Sequence, residues 1–372
     1  MTSTSREDIA RKVLADCIAG QAPDSLPREL TEPAGRNALF GILAEGLGDR
    51  FEQALCDVYA RLFSQVIPGA DLQRYLRVRV PRPINFEPRR VFVLSRITLG
   101  ADIAVTSVIM DAARRRWPDA KVVFVGPDKN WELFDCPHVT INYRRDAYLE
   151  VWHKLQSLVG PEDLVLDPDS RMTQLGLLPV GNEDRYHFFE SRSYGGDTDA
   201  ALSELAAHWM GVPEARPWIS IPREECLDRQ IAVSLGVGGN PAKRLADPFE
   251  ARLLNLLRTR GTIVIDQGAG GEEATRVRRA VRDSGIDAEF WNGSFADFVY
   301  EMSTSWMYVG YDSAGQHAAA ALGVPQICIF AGYPSLRMFH RWRPVAPNAA
   351  VIRVDGNDPD AVLARVREAL PR

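Results

Sequence analysis

Two series of short apolar strands, each followed by a helical stretch, constrain this chain more than any other feature. RVFVL (90–94) is an unbroken run rich in β-branched residues, the pattern of a strand buried on both faces of a parallel sheet. An amphipathic helix over 102–116 follows, then KVVFVG (121–126), a helix over 146–158, LVLD (164–167), YHFF (186–189) and a helix over 197–210. A second series opens with IAVSLGV (231–237). It continues with TIVIDQG (262–268), MYVGY (307–311) and QICIF (326–330), and with helices over 247–260, 271–285, 295–304 and 313–322. Strands that alternate with helices predict parallel sheets covered by helices. WMGVPEARPWISIPREE (209–225), with three prolines, breaks the rhythm and reads as a linker between the series.

Residues 1–65 carry helical periodicity instead, through Ile9, Val13, Leu14 and Cys17 and again through Phe51, Leu55, Val58, Leu62 and Phe63. The proline-rich stretch VPRPINFEPRR (80–90) separates them from the first strand. The expected organisation is a helical extension over 1–85, one α/β domain over 86–215 and another over 226–350. A last segment over 351–372 carries a helix at about 359–370, expected to pack back on the first domain. A chain of 372 residues needs two cores, and a hydrophobic content of 46% supplies them. The net charge of −5 argues against a general nucleic-acid binder. Cys17, Cys56, Cys136, Cys226 and Cys328 are scattered and odd in number, so they read as free thiols. The N-terminus does not read as a signal peptide, and no stretch reaches the ~20 apolar residues of a membrane span. A cytoplasmic location is expected.

Ligands of open parallel sheets bind beyond the carboxyl ends of the strands, so the loops there are the candidates. SRITLGADIAVTS (95–107) puts Asp102 at an expected helix start, where it either caps the helix or accepts a proton as a general base. GVGGNPAKR (236–244) offers backbone N–H groups at Gly236, Gly238 and Gly239, with Lys243 and Arg244 beside them; it is a tight turn or an anion cradle. GYDSAGQHAAAALGVP (310–325) starts a helix in which Asp312 and Ser313 can cap. Small Ser313, Ala314 and Gly315 leave its first N–H groups open, and His317 lies in the first turn. QGAGGEE (267–273) joins strand to helix, with Gln267, Glu272 and Glu273 placed for ribose hydroxyls or for the helix start.

Together these loops resemble glycosyltransferase family 9, the ADP-heptose:lipopolysaccharide heptosyltransferases, over about residues 88–345. Arg96, Thr98, Gly100, Asp102 and Thr106 match its first motif, with Gly-Ala-Asp here for Gly-Asp. Gly238, Gly239 and Lys243 match its second. Asp312, Ser313, His317, Ala320, Ala321, Leu322, Gly323 and Pro325 match its third in register, with Ala314 at the family's glycine and Gly315 one place later. FAGYP (330–334) is similar to its aromatic-Gly-Pro turn.

The resemblance implies a GT-B fold, two Rossmann-like domains whose parallel sheets face a cleft, and an inverting, metal-independent transfer of a heptose or similar sugar. Asp102 would be the base. Gly238, Gly239, Lys243, Asp312, Ser313, Ala314, Gly315 and His317 would hold the donor's diphosphate and sugar, and Gln267, Glu272 and Glu273 its nucleoside, ADP being the family's nucleotide. No cofactor beyond the nucleotide-sugar and no metal is expected; the DPD at 167–169 reads as an acceptor-side or turn element rather than a metal motif. The segment 167–196 departs from the lipopolysaccharide enzymes, so the acceptor is left as a glycan, a lipid-linked sugar or a small molecule. Arg171, Gln174, Glu190, Arg192 and Tyr194 are its expected contacts. Two alternatives stay open: a nucleotide-sugar 2-epimerase and a non-catalytic nucleotide-sugar-binding protein. A dehydrogenase would need a GxGxxG after a strand, which is absent.

Overall fold

A computed structural model describes residues 5–226, 229–238, 240–268, 270–356 and 358–371. Gly239, one of the expected diphosphate contacts, lies outside them. The chain forms two compact units, one from 1–98, 109–131 and 136–215, the other from 99–108, 132–135 and 216–372.

The first unit carries a five-stranded parallel sheet of β1 (Arg90–Leu94), β2 (Lys121–Gly126), β3 (His138–Thr140), β4 (Leu164–Asp167) and β5 (Tyr186–Phe188), in the order β3-β2-β1-β4-β5. The second carries a six-stranded parallel sheet of β6 (Gln230–Ser234), β7 (Thr262–Asp266), β8 (Glu289–Trp291), β9 (Met307–Tyr311), β10 (Gln326–Phe330) and β11 (Ala349–Arg353), in the order β11-β10-β9-β6-β7-β8. Counted from its own first strand, each sheet has the doubly wound order, which reverses beside that strand. The reversal points are β1/β4 and β6/β9, and at such points the loops leaving the strands diverge and leave room for a ligand.

Helices of seven residues or more are α1 (Arg6–Ile18), α2 (Gln53–Phe63), α3 (Leu72–Val78), α4 (Ser107–Arg116), α5 (Tyr148–Leu158), α6 (Leu202–Trp209), α7 (Phe249–Leu257), α8 (Gly271–Ser284), α9 (Phe295–Thr304), α10 (Ala314–Leu322), α11 (Leu336–Trp342) and α12 (Pro359–Ala369). The strands β3, β8 and β11 escaped the sequence reading. Each is an edge strand with mostly half-buried or exposed residues, so none carries a continuous apolar run.

Two expectations about the chain ends are corrected. The N-terminal helices are no appendage: Ala10, Val13, Leu55 and Phe63 share one core with Phe92, Leu94, Val165 and Phe188 of the first sheet. The last helix, α12, does not spend its apolar face on the first unit. Val362, Leu363, Val366 and Leu370 lie in the second unit's own core with Ile231, Ile329 and Ile352. Among the described residues no helix is long and apolar enough to cross a membrane, and the cysteines are free.

Candidate functional site

The reversal point of the second sheet brings two of the expected loops together. β6 ends at Ser234, and its loop passes Gly238, at φ +59°, to a 3-10 turn over Pro241–Lys243. The Asn240 side chain holds that turn by accepting from the Ala242 N–H at 3.1 Å. β9 ends at Tyr311, and Asp312 and Ser313 lead into α10. Lys243 Nζ lies 2.6 Å from Asp312 Oδ2 and donates to the Asp312 carbonyl at 3.3 Å. Asp312 is 4% exposed, and its other oxygen accepts from Gln316 Nε2. Gln316 Oε1 in turn accepts from Cys328 Sγ.

This changes the capping expectation. Asp312 is engaged by Lys243 and Gln316. Ser313 occupies the N-cap position with extended backbone but makes no side-chain cap bond. The first turn of α10 therefore lacks the side-chain acceptor that ordinarily closes a helix N-terminus, beside a lysine. That pairing suits an anion.

Glycines set the close approaches. A Cβ on Gly332, which has φ +67°, would stand 2.2 Å from the Ala242 carbonyl oxygen, so the turn after β10 presses on the loop that carries Lys243. A Cβ on Gly315 would stand 2.2 Å from the Tyr308 hydroxyl. Gly315 thus makes room for a buried tyrosine beneath the helix, a packing role the sequence did not disclose. His317 is buried, and desolvation lowers its pKa to about 4 despite the nearby Asp312, so it is neutral at pH 7.

The segment with Asp102 belongs to the second unit by its contacts. A Cβ on Gly100 would stand 3.2 Å from Ala314 Cα and 3.3 Å from His317 Cδ2, so this segment lies directly on the start of α10. The helix begins at Leu99, about a turn earlier than expected, and Asp102 is not its N-cap. Asp102–Thr106 is a π-helix, in which the Ser107 N–H bonds to the Asp102 carbonyl five residues back. Such turns hold one residue more than an α-turn and recur at functional sites; the extra alanine of Gly-Ala-Asp stands immediately before it. Asp102 is fully buried, and its Oδ1 accepts from Thr106 Oγ1 at 2.6 Å. Trp218, from the expected linker, braces the same segment by donating from Nε1 to the Ser107 carbonyl at 2.8 Å.

Of the nucleoside candidates, Glu273 is half-buried and accepts from the Val237 N–H at 3.4 Å, so it ties the β6 loop to the start of α8. Gln267 accepts from Arg278 at 2.6 Å, and Glu272 is exposed. Sequence reasoning missed Asp266, which accepts from the Gly268 N–H at 2.9 Å and from Ser234 Oγ at 3.3 Å and is pushed upward in pKa by burial. Its position as the last residue of a strand before a glycine loop was the available signal.

The acceptor candidates lie in the first unit and divide. Arg171 is half-buried, paired with Glu45 at 3.2 Å. Tyr194, also half-buried, shares a hydrogen bond with His208 Nδ1 at 2.9 Å. Gln174, Glu190 and Arg192 are buried at 3–4% exposure, and protein groups occupy them. The Gln174 amide donates to Tyr143 Oη and to the Arg171 carbonyl. Glu190 takes hydrogen bonds from Tyr75, Arg79 and Ser193, and Arg192 from its side pairs with Asp169. The expectation that these three face an acceptor is corrected, because their polar atoms point into the protein. Among the described residues, no group of three or more His, Cys, Asp and Glu side chains is placed to hold a metal ion.

No protein-family model matches the chain, and no curated protein matches it by sequence. Solved structures do match its fold. A glycosyl transferase family 9 protein from Veillonella parvula aligns at TM-score 0.57 and 14% identity, covering 78% of this chain and 92% of that one. E. coli heptosyltransferase WaaC with ADP aligns at 0.56 and 16%, covering 76% and 100%. E. coli ADP-heptose lipopolysaccharide heptosyltransferase II aligns at 0.54 and 17%, covering 75% and 98%. The fold is therefore of the heptosyltransferase-like, GT-B kind that the motifs implied.

Proposed function

We propose that this protein is a glycosyltransferase that moves a heptose or similar sugar from a nucleoside-diphosphate donor to an acceptor hydroxyl. The observation that carries this reading is the Lys243–Asp312 pair at the β6/β9 reversal point, beside a helix start with no side-chain cap. A diphosphate there meets a cation and the partial positive charge of α10. Both stabilise the negative charge that grows on the departing nucleotide, without a metal. Gly238, Ser313, Ala314 and Gly315 bring backbone close to the phosphates, and Gly239 completes that loop in the sequence. Neutral His317 acts as a hydrogen-bond partner, not a cation.

Asp102 is the proposed base. It takes the acceptor hydroxyl's proton as that oxygen attacks the anomeric carbon, with inversion, and Thr106 holds its carboxylate. On the nucleoside side Gln267 and Glu272 are within the loop that starts α8, and Glu273 shapes it. Two structural relatives are named for ADP or ADP-heptose, which makes ADP-heptose the first donor to test. Arg171 and Tyr194 are the remaining acceptor contacts.

The test is mass spectrometry of reactions with ADP-heptose and a panel of sugar acceptors. The reading expects a product heavier by one sugar, undiminished by a chelator and lost in Asp102→Asn. Isomerised donor without any acceptor would replace it with the epimerase. Tight donor binding with no chemistry would leave the non-catalytic binding protein.

A further inference from the structure

The N-terminal helices have no part in the function proposed so far, yet a buried polar chain ties them to the loop that leads to Asp102. It starts in α3 and the residue after it. Tyr75 Oη donates to Glu190 Oε1, and Arg79 gives Glu190 Oε2 two bonds, at 3.0 Å from Nε and 2.7 Å from Nη2. Glu190 stands just beyond β5 and lies 3.8 Å from Arg192 Nη2. Arg192 Nε donates to Asp169 Oδ2 at 3.0 Å, and the Ser191 hydroxyl donates to the same oxygen at 2.8 Å. Asp169 belongs to the loop after β4 and is held at φ +72°.

From there the chain reaches the loop after β1. Arg96 Nη1 donates to Ser191 Oγ at 2.7 Å and to the Pro168 carbonyl. Ser170 Oγ donates to the Ser95 carbonyl at 2.6 Å. Ser95 Oγ accepts from the Ile97 N–H at 2.8 Å, and Ile97 is itself at φ +75°. A β-branched residue in the left-handed region is strained and persists only where its surroundings fix it. Ile97 follows β1 and Asp169, also at positive φ, follows β4, so a left-handed residue stands on each side of the β1/β4 reversal point. Asp102 follows Arg96 by six residues.

We infer that Tyr75, Glu190, Asp169, Ser170, Ser191 and Arg96, with the paired arginines Arg79 and Arg192, are positioning residues, through which the N-terminal helices fix the loop that carries the base. The inference rests on the proposed role of Asp102. Within the polar chain Arg79 pairs with Glu190 and Arg192 with Asp169, all four side chains 9% exposed or less, so these charges answer one another and not a substrate. Their use is to hold three strand-end loops in one geometry. Misplacing a reacting group by about 1 Å costs on the order of 100-fold in rate.

The experiment uses the full chain with Tyr75→Phe, Ser170→Ala and Ser191→Ala, each of which deletes one hydroxyl, together with Glu190→Gln. Hydrogen exchange of the amides over 95–108 is expected to speed up at least tenfold in each folded variant, with the amides of α10 unchanged. With ADP-heptose as donor, kcat is expected to fall 10- to 100-fold at unchanged donor KM, its pH profile is expected to shift, and Asp102→Asn is expected to abolish any further effect of the variants. Unchanged exchange over 95–108 in folded variants overturns the inference, whether or not the protein transfers sugar. So does a kcat that stays at the wild-type value, or one that falls equally with and without Asp102. If Glu190→Gln does not fold, the three hydroxyl deletions decide. Faster exchange together with a wild type that transfers no sugar rejects the link to Asp102 as a base, and the failure is then that of the proposed function.

Discussion

Lys243 crosses the reversal point of the second sheet and closes on Asp312, its Nζ 2.6 Å from Oδ2 and 3.3 Å from the carbonyl oxygen. A diphosphate in the proposed donor site must compete with Asp312 for this lysine. Lys243→Ala removes the cation and leaves a buried carboxylate short of its partner. It is expected to weaken nucleoside-diphosphate binding 10- to 100-fold and to cost about 2 kcal/mol of stability. Calorimetric titration and denaturant unfolding check the two effects separately.

Gly315 has no room for a side chain, because a Cβ would stand 2.2 Å from the Tyr308 hydroxyl. Gly315→Ala is expected to destabilise the protein by about 2 kcal/mol, the range of overpacked cores. Tyr308→Phe in the same chain restores part of the loss. Equal melting temperatures for wild type and Gly315→Ala would show that the ring moves freely.

Thr106 donates to Asp102 at 2.6 Å. Thr106→Val keeps the shape and deletes the hydroxyl. It is expected to lower kcat about tenfold with donor affinity unchanged, an effect of one hydrogen bond to a charged group, and Thr106→Ser is expected to retain activity. Steady-state kinetics with a saturating donor measure this.

Burial holds His317 at a pKa of about 4, below its ordinary 6.5. At pH above 6.5 the ring is neutral folded or unfolded, and it adds no pH dependence. As pH falls from 6.5 to about 4, the unfolded chain takes up a proton that the folded one refuses, so stability declines over that window, by on the order of 3 kcal/mol. His317→Gln is expected to flatten this part of the curve of unfolding free energy against pH. His187, lowered to about 4 by the same cause, adds a second contribution over the same window, so the difference between wild type and His317→Gln isolates His317.

The reversal points were legible because β1, β2, β4, β6, β7, β9 and β10 are buried throughout most of their length and so read as apolar runs. The edge strands β3, β8 and β11 were not, since solvent on one side breaks the run. The motif at Asp312 marked a loop that lies at the reversal point but did not disclose its bonds. Capping propensity is a local signal, and it does not reveal that Lys243, far away in sequence, takes the aspartate. Glu190 and Arg192 misled for a related reason: a charged pair near a strand end looks the same in sequence whether it faces a ligand or a buried partner. The partners of Glu190, Tyr75 and Arg79, lie more than 100 residues away, and Arg192 is taken by Asp169 of another loop.

Calorimetric titration of ADP into the wild type and into Lys243→Ala tests the central claim most directly. The site predicts one ADP bound per chain, with affinity lost in the variant and kept in Tyr75→Phe. No binding of ADP or of any other nucleoside diphosphate to the wild type, or equal binding to wild type and Lys243→Ala, would contradict it.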